Sequence, residues 1–483
     1  MKKGRILLIA VAATLVVQLA YAQKTAQKGR ANIVLFIADD LAFNDIGPYG
    51  NQVVRTPNLD RLAKESLLFK QAFASSPTCA PSRSSIYTGL LPFRHGAHGN
   101  HTGVKEGTRS LVQYLQPLGY RVAIAGKYHV GPEDIFAFER VSKTNVPEPG
   151  FEKNPGLHWD LNMGPVDEWL SKRKKNDPFL LIVADHSPHV VWPEHAEYDP
   201  AEVDIPDWHI DTEDTRKSRA RYYTDITKMD GNLGKLLQSL EKHKLSDNTI
   251  VVFTADQGPQ WPFGKWTLYD YGIRTPLMVK WPGVTKGGSQ TEALTSLVDL
   301  LPTFVEIAGG KAPENIDGQS FLPVLEGKSD SHRETVFATH TGDKLMNRAP
   351  ARMLRTTQYK YILNLAPEIL YTTHMDKAKD HDGGREYWDS WRERSFRDEH
   401  AAAVLWRYHN RPAEELYDLT KDPSESVNLA ADPMYKEAID RFRRQMEAIR
   451  KSQGDFETGP EKIETQPGNE KQQKPVAPYV FRD

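Results

Sequence analysis

The sequence of 483 residues contains one cysteine, Cys79. No intramolecular disulfide can form, so a disulfide framework is excluded and the core must hold the fold. Charge of one sign is not in surplus either: 62 Lys and Arg stand against 64 Asp and Glu, a formal net charge of −2. That balance argues against a nucleic-acid footprint. Beyond residue 20 no apolar run approaches the roughly 20 residues that a membrane-spanning helix needs. No internal repeat is visible. What is present is 39% hydrophobic and 26% charged residues, the composition of a globular chain. The length exceeds one ordinary domain and predicts a large α/β domain with a smaller one beside it.

The N-terminus reads as a signal peptide over residues 1–22. Lys2, Lys3 and Arg5 form a basic start, residues 6–20 are almost continuously apolar, and Ala20-Tyr21-Ala22 is a small-x-small cleavage site before Gln23. The chain is therefore expected to be exported, periplasmic or secreted, with no stable membrane span. An uncleaved anchor is the competing reading, and the apolar run is short for it. In an exported chain a lone cysteine is either a small buried apolar residue or a reactive group.

Residues 32–38 are a continuous apolar run, the pattern of a strand buried on both faces. Residues 121–125, 179–184, 249–254 and 276–280 repeat it. Helical patterns lie between, one starting at Thr56-Pro57 with Thr56 as N-cap, and a long one over about 213–244. Strands alternating with helices predict an α/β fold over residues 23–330: a mostly parallel central sheet flanked by helices. After about residue 330 the texture changes. Residues 335–339, 351–355, 359–365 and 415–419 read as shorter strands. Helices are expected around Trp388 and Trp391 and over about 433–451. This is a smaller C-terminal α+β subdomain, 331–453, carrying an antiparallel sheet. Residues 454–483, rich in Pro, Gln, Glu and Lys, form a polar, extended tail.

The chemistry-bearing residues follow the predicted strands. Asp39 and Asp40 end the first, and Asp256-Gln257 follows residues 249–254. Ligands gather at the carboxyl ends of strands in such sheets. Three carboxylates and an amide make an all-oxygen set suited to a hard cation such as Ca²⁺ or Mg²⁺. An isolated Asp pair would be read as a turn or a cap. In Cys79-Ala80-Pro81-Ser82-Arg83, Pro81 marks a helix start, so Cys79 lies near an N-terminus that favours anions. Arg83 adds a permanently charged fork one turn on. Lys127 and His129, in Gly126-Lys127-Tyr128-His129-Val130-Gly131, are two apart and share a face of an extended segment, one to hold an anion and the other a proton. His186 and His189 follow residues 179–184, and Lys265 follows Asp256. Taken singly, each of these histidines and lysines reads as a solvated loop residue. Together they match oxygen ligands for a cation with cationic groups for an anion.

These motifs resemble the type I sulfatase family of the alkaline-phosphatase-like superfamily. Cys79-Ala80-Pro81-Ser82-Arg83 matches its C-x-P-S-R signature, and Ser84-Ser85-Ile86-Tyr87-Thr88-Gly89 matches the continuation. Further blocks match at 32–40, 56–60, 126–131, 256–258, 272–276, 415–419, 422–423 and 428–429, so the resemblance spans about 31–452. It implies that Cys79 is converted to formylglycine (3-oxoalanine) by a formylglycine-generating or anaerobic sulfatase-maturing enzyme. The aldehyde hydrate would attack sulfur with one hydroxyl and expel sulfate with the other. The resemblance also implies Asp39, Asp40, Asp256, Gln257 and the modified Cys79 as ligands of one Ca²⁺. Arg83 would steady the formylglycine, and His129 would assist proton transfer. Lys127, His189 and Lys265 would bind sulfate, with His186 the alternative to His189. The chain departs from the pattern at Gln257, where Asn or His is usual, and at Ala42, where glycine is common. Residues 126–133, 205–208 and 362–365 are similar to the heparan N-sulfatase branch. The expected substrate is thus a sulfated saccharide, with N-sulfoglucosamine first. O-sulfated polysaccharides including algal ones, a formylglycine-dependent phosphodiesterase or phosphonate hydrolase, and a silent glycan-binding relative are the competing readings.

Overall fold

The computed structural model describes residues 30–174, 177–343, 347–377 and 385–458. The expected signal peptide and most of the polar tail lie outside them. Among the described residues no helix is long and apolar enough to cross a membrane.

The main sheet contains β1 (Asn32–Ala38), β2 (Leu67–Phe73), β3 (Arg121–Gly126) and the short β4 (Glu139–Arg140). A separate hairpin follows, β5 (Asn145–Pro147) with β6 (Trp159–Leu161), before the chain returns to the sheet in β7 (Phe179–Ala184), β8 (Thr249–Ala255), β9 (Arg274–Lys280), β10 (Ser289–Thr291) and β11 (Thr295–Ser296). The order is β10-β2-β9-β8-β1-β7-β3-β4, with β11 beside β2. β1 lies parallel between β7 and β8, and only β9 runs against its neighbours. The central strand explains its own composition. All seven β1 residues are buried. Val34 and Phe36 pack in the core that includes Tyr222, Ile226 and Met229 of the helix Glu213–Lys242. Ile33, Leu35 and Ile37 pack on the opposite side, with Leu300 and Phe304. Alternation by two thus fills both layers.

A second sheet, β12 (Val336–His340), β13 (Ala351–Arg355), β14 (Tyr359–Asn364) and β15 (Glu414–Asp418), is antiparallel throughout. The helix Lys436–Gln453 covers one face, with Phe442 stacked on Tyr361 at 5.8 Å between ring centres. Thr339 N–H donates to the Ser75 carbonyl at 2.9 Å, joining this sheet to the first.

Three local expectations change. The helix Pro57–Lys64 begins after Thr56, but Thr56 does not cap it. Its Oγ1 accepts from Gly47 N instead, and Asp230 of the long helix takes the Asn58 and Leu59 N–H groups at 3.1 and 2.8 Å. Tertiary contact has replaced a local cap. β2 has no counterpart in the sequence reading because Lys70 and Gln71 interrupt its apolar run at a register shift. The expected tail starts docked: Asp455 is buried and receives Arg352 Nε and Nη2.

Candidate active site

The carboxyl ends of β1, β3, β7 and β8 converge, and backbone bonds carry the ladder past the strand ends. Asp185 N donates to Ile37 O, Lys127 N to Ala184 O, Asp256 N to Ala38 O and Asp39 N to Ser187 O, at 2.8–3.1 Å. Gly126, at φ 82°, is required here: a Cβ would lie 2.0 Å from the Ala184 carbonyl oxygen. Gly258 is equally constrained, since a Cβ there would meet Tyr271 O at 1.9 Å. Asp40 turns into the left-handed region at φ 62°, which asparagine and aspartate tolerate. Ala42 has no positive φ, so the glycine common there is not needed.

The helix Cys79–Thr88 enters this junction end-on, and every residue in it is buried. Asn100 Oδ1 accepts from Ala80 N at 3.2 Å and holds the first turn. Cys79 Sγ sits 3.7 Å from Asp40 Oδ1, 3.2 Å from Gln257 Nε2 and 3.8 Å from Lys127 Nζ. Arg83 spans two acids, Nε to Asp256 Oδ2 at 2.9 Å and Nη2 to Asp39 Oδ1 at 3.1 Å. Lys127 Nζ is paired with Asp39 Oδ2, and Lys265 Nζ with Asp40 Oδ2 at 2.7 Å. His189 Nε2 lies 3.1 Å from Lys265 Nζ and 3.6 Å from Asp40 Oδ2. Asp39, Asp40, Cys79, Arg83, Lys127, His189, Asp256, Gln257 and Lys265 therefore form one buried cluster.

Two histidines stand apart. His186 Nε2 bonds Asn145 Oδ1 at 2.7 Å, on the β5–β6 hairpin. Of the two histidines after β7, His189 is the one that reaches Lys265 and Asp40. His129 does not share a strand face with Lys127, because its φ of 42° turns the chain out of the extended form. Its ring packs on His101, 4.9 Å between centres, and His101 Nδ1 is 2.7 Å from Asp343 Oδ2. Asn100, His101 and Asp343 were missed from sequence. The histidine-rich stretch His95, His98, His101 was the available signal for the first two, whereas Asp343 comes from the second sheet's end and had none.

Neighbouring cations oppose burial at the acids and the thiol, and act with it at the histidines. Burial pushes the Asp39 carboxyl up, but Lys127, Arg83 and His189 hold it well below the usual range. Burial raises Asp40 against Lys265, and raises Asp256 to about 8 against Arg83. Burial lifts the Cys79 thiol to about 12 despite Lys127 and Lys265, so the encoded thiol is neutral. His189 is driven well down by burial, Lys265 and Lys127, and His129 by burial, Lys127 and His101. His186 falls to about 3 through burial and Lys127.

The cluster fits a hard divalent cation. Ligand atoms of Asp39, Cys79 and Asp256 lie within 4.8 Å of one another, as do those of Asp40, Cys79 and His189. Gln257 Oε1 is buried with no hydrogen-bond partner, while its Nε2 donates to Asp40 Oδ1. A half turn of the amide presents that carbonyl to the same centre. The longer side chain at 257 therefore still reaches the junction.

Known proteins resemble this chain along most of its length. The sulfatase family pattern matches residues 31–310, and the pattern described as N-sulphoglucosamine sulphohydrolase, C-terminal, matches 258–382. An ulvan-active sulfatase of Formosa agariphila is 33% identical over 90% of this chain and 82% of its own length. Human N-sulphoglucosamine sulphohydrolase is 30% identical over 86% and 89%. Among solved structures, a complex with D-glucosamine-2-N,6-O-disulfate has a TM-score of 0.66 at 22% identity, covering 89% of this chain and 99% of that one. The phosphonate monoester hydrolase of Agrobacterium radiobacter scores 0.65 at 20% identity, covering 88% and 96%. These last two share the fold. With its pattern matched over more than half of the sequence and relatives aligned along nearly all of it, the chain belongs to the sulfatase family, enzymes that hydrolyse sulfate esters.

Proposed function

We propose that the protein is an exported sulfatase acting on a sulfated saccharide, N-sulfoglucosamine of heparan-type chains first. In this reading Cys79 is the precursor of formylglycine, made by a separate maturing enzyme, and one Ca²⁺ is held by Asp39, Asp40, Asp256, Gln257 and the modified residue. The observation that carries it is the setting of Cys79. A thiol pushed to about 12 is a poor nucleophile, yet it sits at the centre of the carboxylate, lysine and arginine cluster. That setting supports a group other than the encoded thiol at this position.

The formylglycine hydrate and the cation together supply a paired-hydroxyl nucleophile and a Lewis acid. The chain's own residues do the rest. Arg83, fixed between Asp39 and Asp256, steadies the start of the helix. Lys127 and Lys265 bring ammonium groups to the sulfate oxygens. His189 Nδ1–H donates to Val190 O at 2.5 Å, which leaves Nε2 as the atom that accepts or passes a proton. His129, held neutral by burial, Lys127 and His101, would assist proton transfer at the formylglycine.

Mass spectrometry of the tryptic peptide containing residue 79, alongside sulfate release from N- and O-sulfated saccharides, tests this. Aldehyde at residue 79 in active enzyme and turnover of N-sulfoglucosamine are expected. Active enzyme carrying only thiol would remove the mechanism. An O-sulfated polysaccharide is the second reading, supported by the 33% identity to the ulvan-active relative. The same screen separates the two. N-terminal sequencing of secreted or periplasmic material, beginning at Gln23, tests export.

A further inference from the structure

The loop over residues 99–104 joins the end of the second sheet to the segment that carries His129. On one side Asn100 N donates to Gly342 O at 2.9 Å, and His101 Nδ1 lies 2.7 Å from Asp343 Oδ2. On the other Val104 N donates to Gly131 O at 2.8 Å, and the His101 and His129 rings pack 4.9 Å apart between centres. We propose that His101, fixed by Asp343, is a positioning residue for His129, so that the C-terminal subdomain takes part in the reaction by setting the ring of that histidine. The proposal rests on the reading of His129 as the group that assists proton transfer, and adds what aims it.

Three observations support it. First, His129 needs support from outside its own side chain. The torsion that turns an imidazole about its Cβ–Cγ bond has broad, roughly two-fold wells, so the chain alone does not aim the ring nitrogens. Lys127, Arg83 and Asp39 all act on the charge of His129, which places the ring beside the buried cluster. His101 supplies a wall for it, at an interplanar angle of 45°.

Second, His101 is itself fixed. A carboxylate at Nδ1 places a proton on that nitrogen. Turning the ring over would set a C–H group against Asp343 and strand a carboxylate whose side chain is only 5% exposed. The strand that leads to Asp343 is anchored in turn. Thr339 N is bonded to Ser75 O, and Arg352 Nη1 donates to His340 O at 3.0 Å.

Third, both histidines lie in the left-handed region, His101 at φ 59° and His129 at φ 42°. Such residues are strained and persist only where the surrounding structure over-determines them. An apolar side chain on a relaxed backbone would fill the same space. Two strained histidines in ring contact beside the cluster mark a geometry that is held for use.

The test is a double-mutant cycle on the matured enzyme, with the sulfated saccharide that it turns over best and with 4-nitrophenyl sulfate. The single variants are Asp343→Ala, Asp343→Asn, His101→Asn and His129→Asn; asparagine is used at 101 and 129 because it tolerates a positive φ. Asp343→Ala and His101→Asn are each combined with His129→Asn. Thermal melts give the folded fraction, to which kcat is normalised. Asp343→Ala and His101→Asn should each lower kcat about 10–100-fold, with KM within about twofold of wild type. Asp343→Asn, whose carbonyl still accepts from His101 Nδ1–H, should restore most of that loss. His129→Asn should lower kcat about 10²-fold or more. On that background neither further substitution should cost more than about twofold, because groups that act as a unit are not additive. Costs that add in full would overturn the proposal, since a pair that only supports the fold or seats the substrate is missed whether or not His129 is present. So would an unchanged kcat, or a rise in KM alone. If Asp343→Ala does not fold, His101→Asn carries the cycle. His129→Asn at the wild-type rate would instead remove His129 from the reaction. A matured enzyme that releases sulfate from none of these substrates would remove the sulfatase reading beneath both.

Discussion

Asp256, just past the end of β8, and Asp270, in the short helix Asp270–Ile273 before β9, are both buried, and their carboxyls move in opposite directions. Asp270 receives Arg355 Nε and Nη2 at 3.2 Å each and Lys360 Nζ at 2.6 Å, with Arg274 at 3.6 Å. Burial pushes its carboxyl up, but those three cations outweigh burial and hold it well below the ordinary range. Asp256 has Arg83 at 2.8–2.9 Å, and Asp39 and Asp40 as neighbours of its own sign. There burial wins over Arg83 and the carboxyl rises to about 8. The Asp270 network ties the second sheet to the first and is closed upon itself. The Asp256 cluster keeps acids close together and leaves Gln257 Oε1 without a partner. Only the second arrangement invites a further cation, and a site of that kind costs stability that the rest of the fold must supply.

The largest effect that separates the two is on turnover. Cys79→Ala should lower sulfate release by at least about 10³-fold. Its melting temperature should shift by no more than about 2–4 °C, because the thiol closes no ion-pair network. Steady-state kinetics and a thermal melt read both quantities, and residual activity within tenfold of wild type would break the distinction. Asp270→Asn should do the reverse. Removing one partner from a buried ion-pair network costs about 3–5 kcal/mol. Chemical denaturation should show that loss, with kcat of the folded fraction retained.

How much of this was legible follows from the range over which each signal acts. β1, β7 and β8 announce themselves because strands buried on both faces are apolar at every position, and residues 32–38, 179–184 and 249–254 are. Cys79, Arg83 and the acids after β1 and β8 were legible because each lies in a contiguous motif or at the end of an apolar strand, although the groups they meet in space are distant along the chain. His101 acting beside His129, Asp343 pairing with His101, and Asp230 capping the helix Pro57–Lys64 were not. Each depends on a contact between residues far apart in sequence. The choice of His189 over His186 required geometry as well. Two histidines three residues apart on one loop differ only in whether they face Lys265 or Asn145.

Cation addition sharpens the comparison further. A ligand at 100 times its Kd stabilises the native state by about 2.7 kcal/mol. Wild type should gain that increment from Ca²⁺ and lose it to a chelator, measured as the shift in a denaturation midpoint. Asp40→Asn should lose the increment, whereas Asp270→Asn, although less stable throughout, should keep it. Equal loss in both variants would show that the two networks are coupled.

The smallest effect is the acid limb of stability. Asp270 is held below its unfolded value, which is about 3.9. A depressed carboxylate contributes stability that is fully present well above the unfolded value and is lost as pH falls through the folded one. Between pH 4 and 3 the unfolded Asp270 takes up a proton that the folded one refuses. Wild type should therefore lose about 1 kcal/mol more over that unit than Asp270→Asn, which has no carboxyl to titrate there. Denaturation midpoints of the two proteins at pH 4 and pH 3 give the difference directly. Identical slopes would mean that Arg355 and Lys360 do not stabilise the Asp270 carboxylate more than water does, and the contrast with Asp256 would then reduce to burial alone.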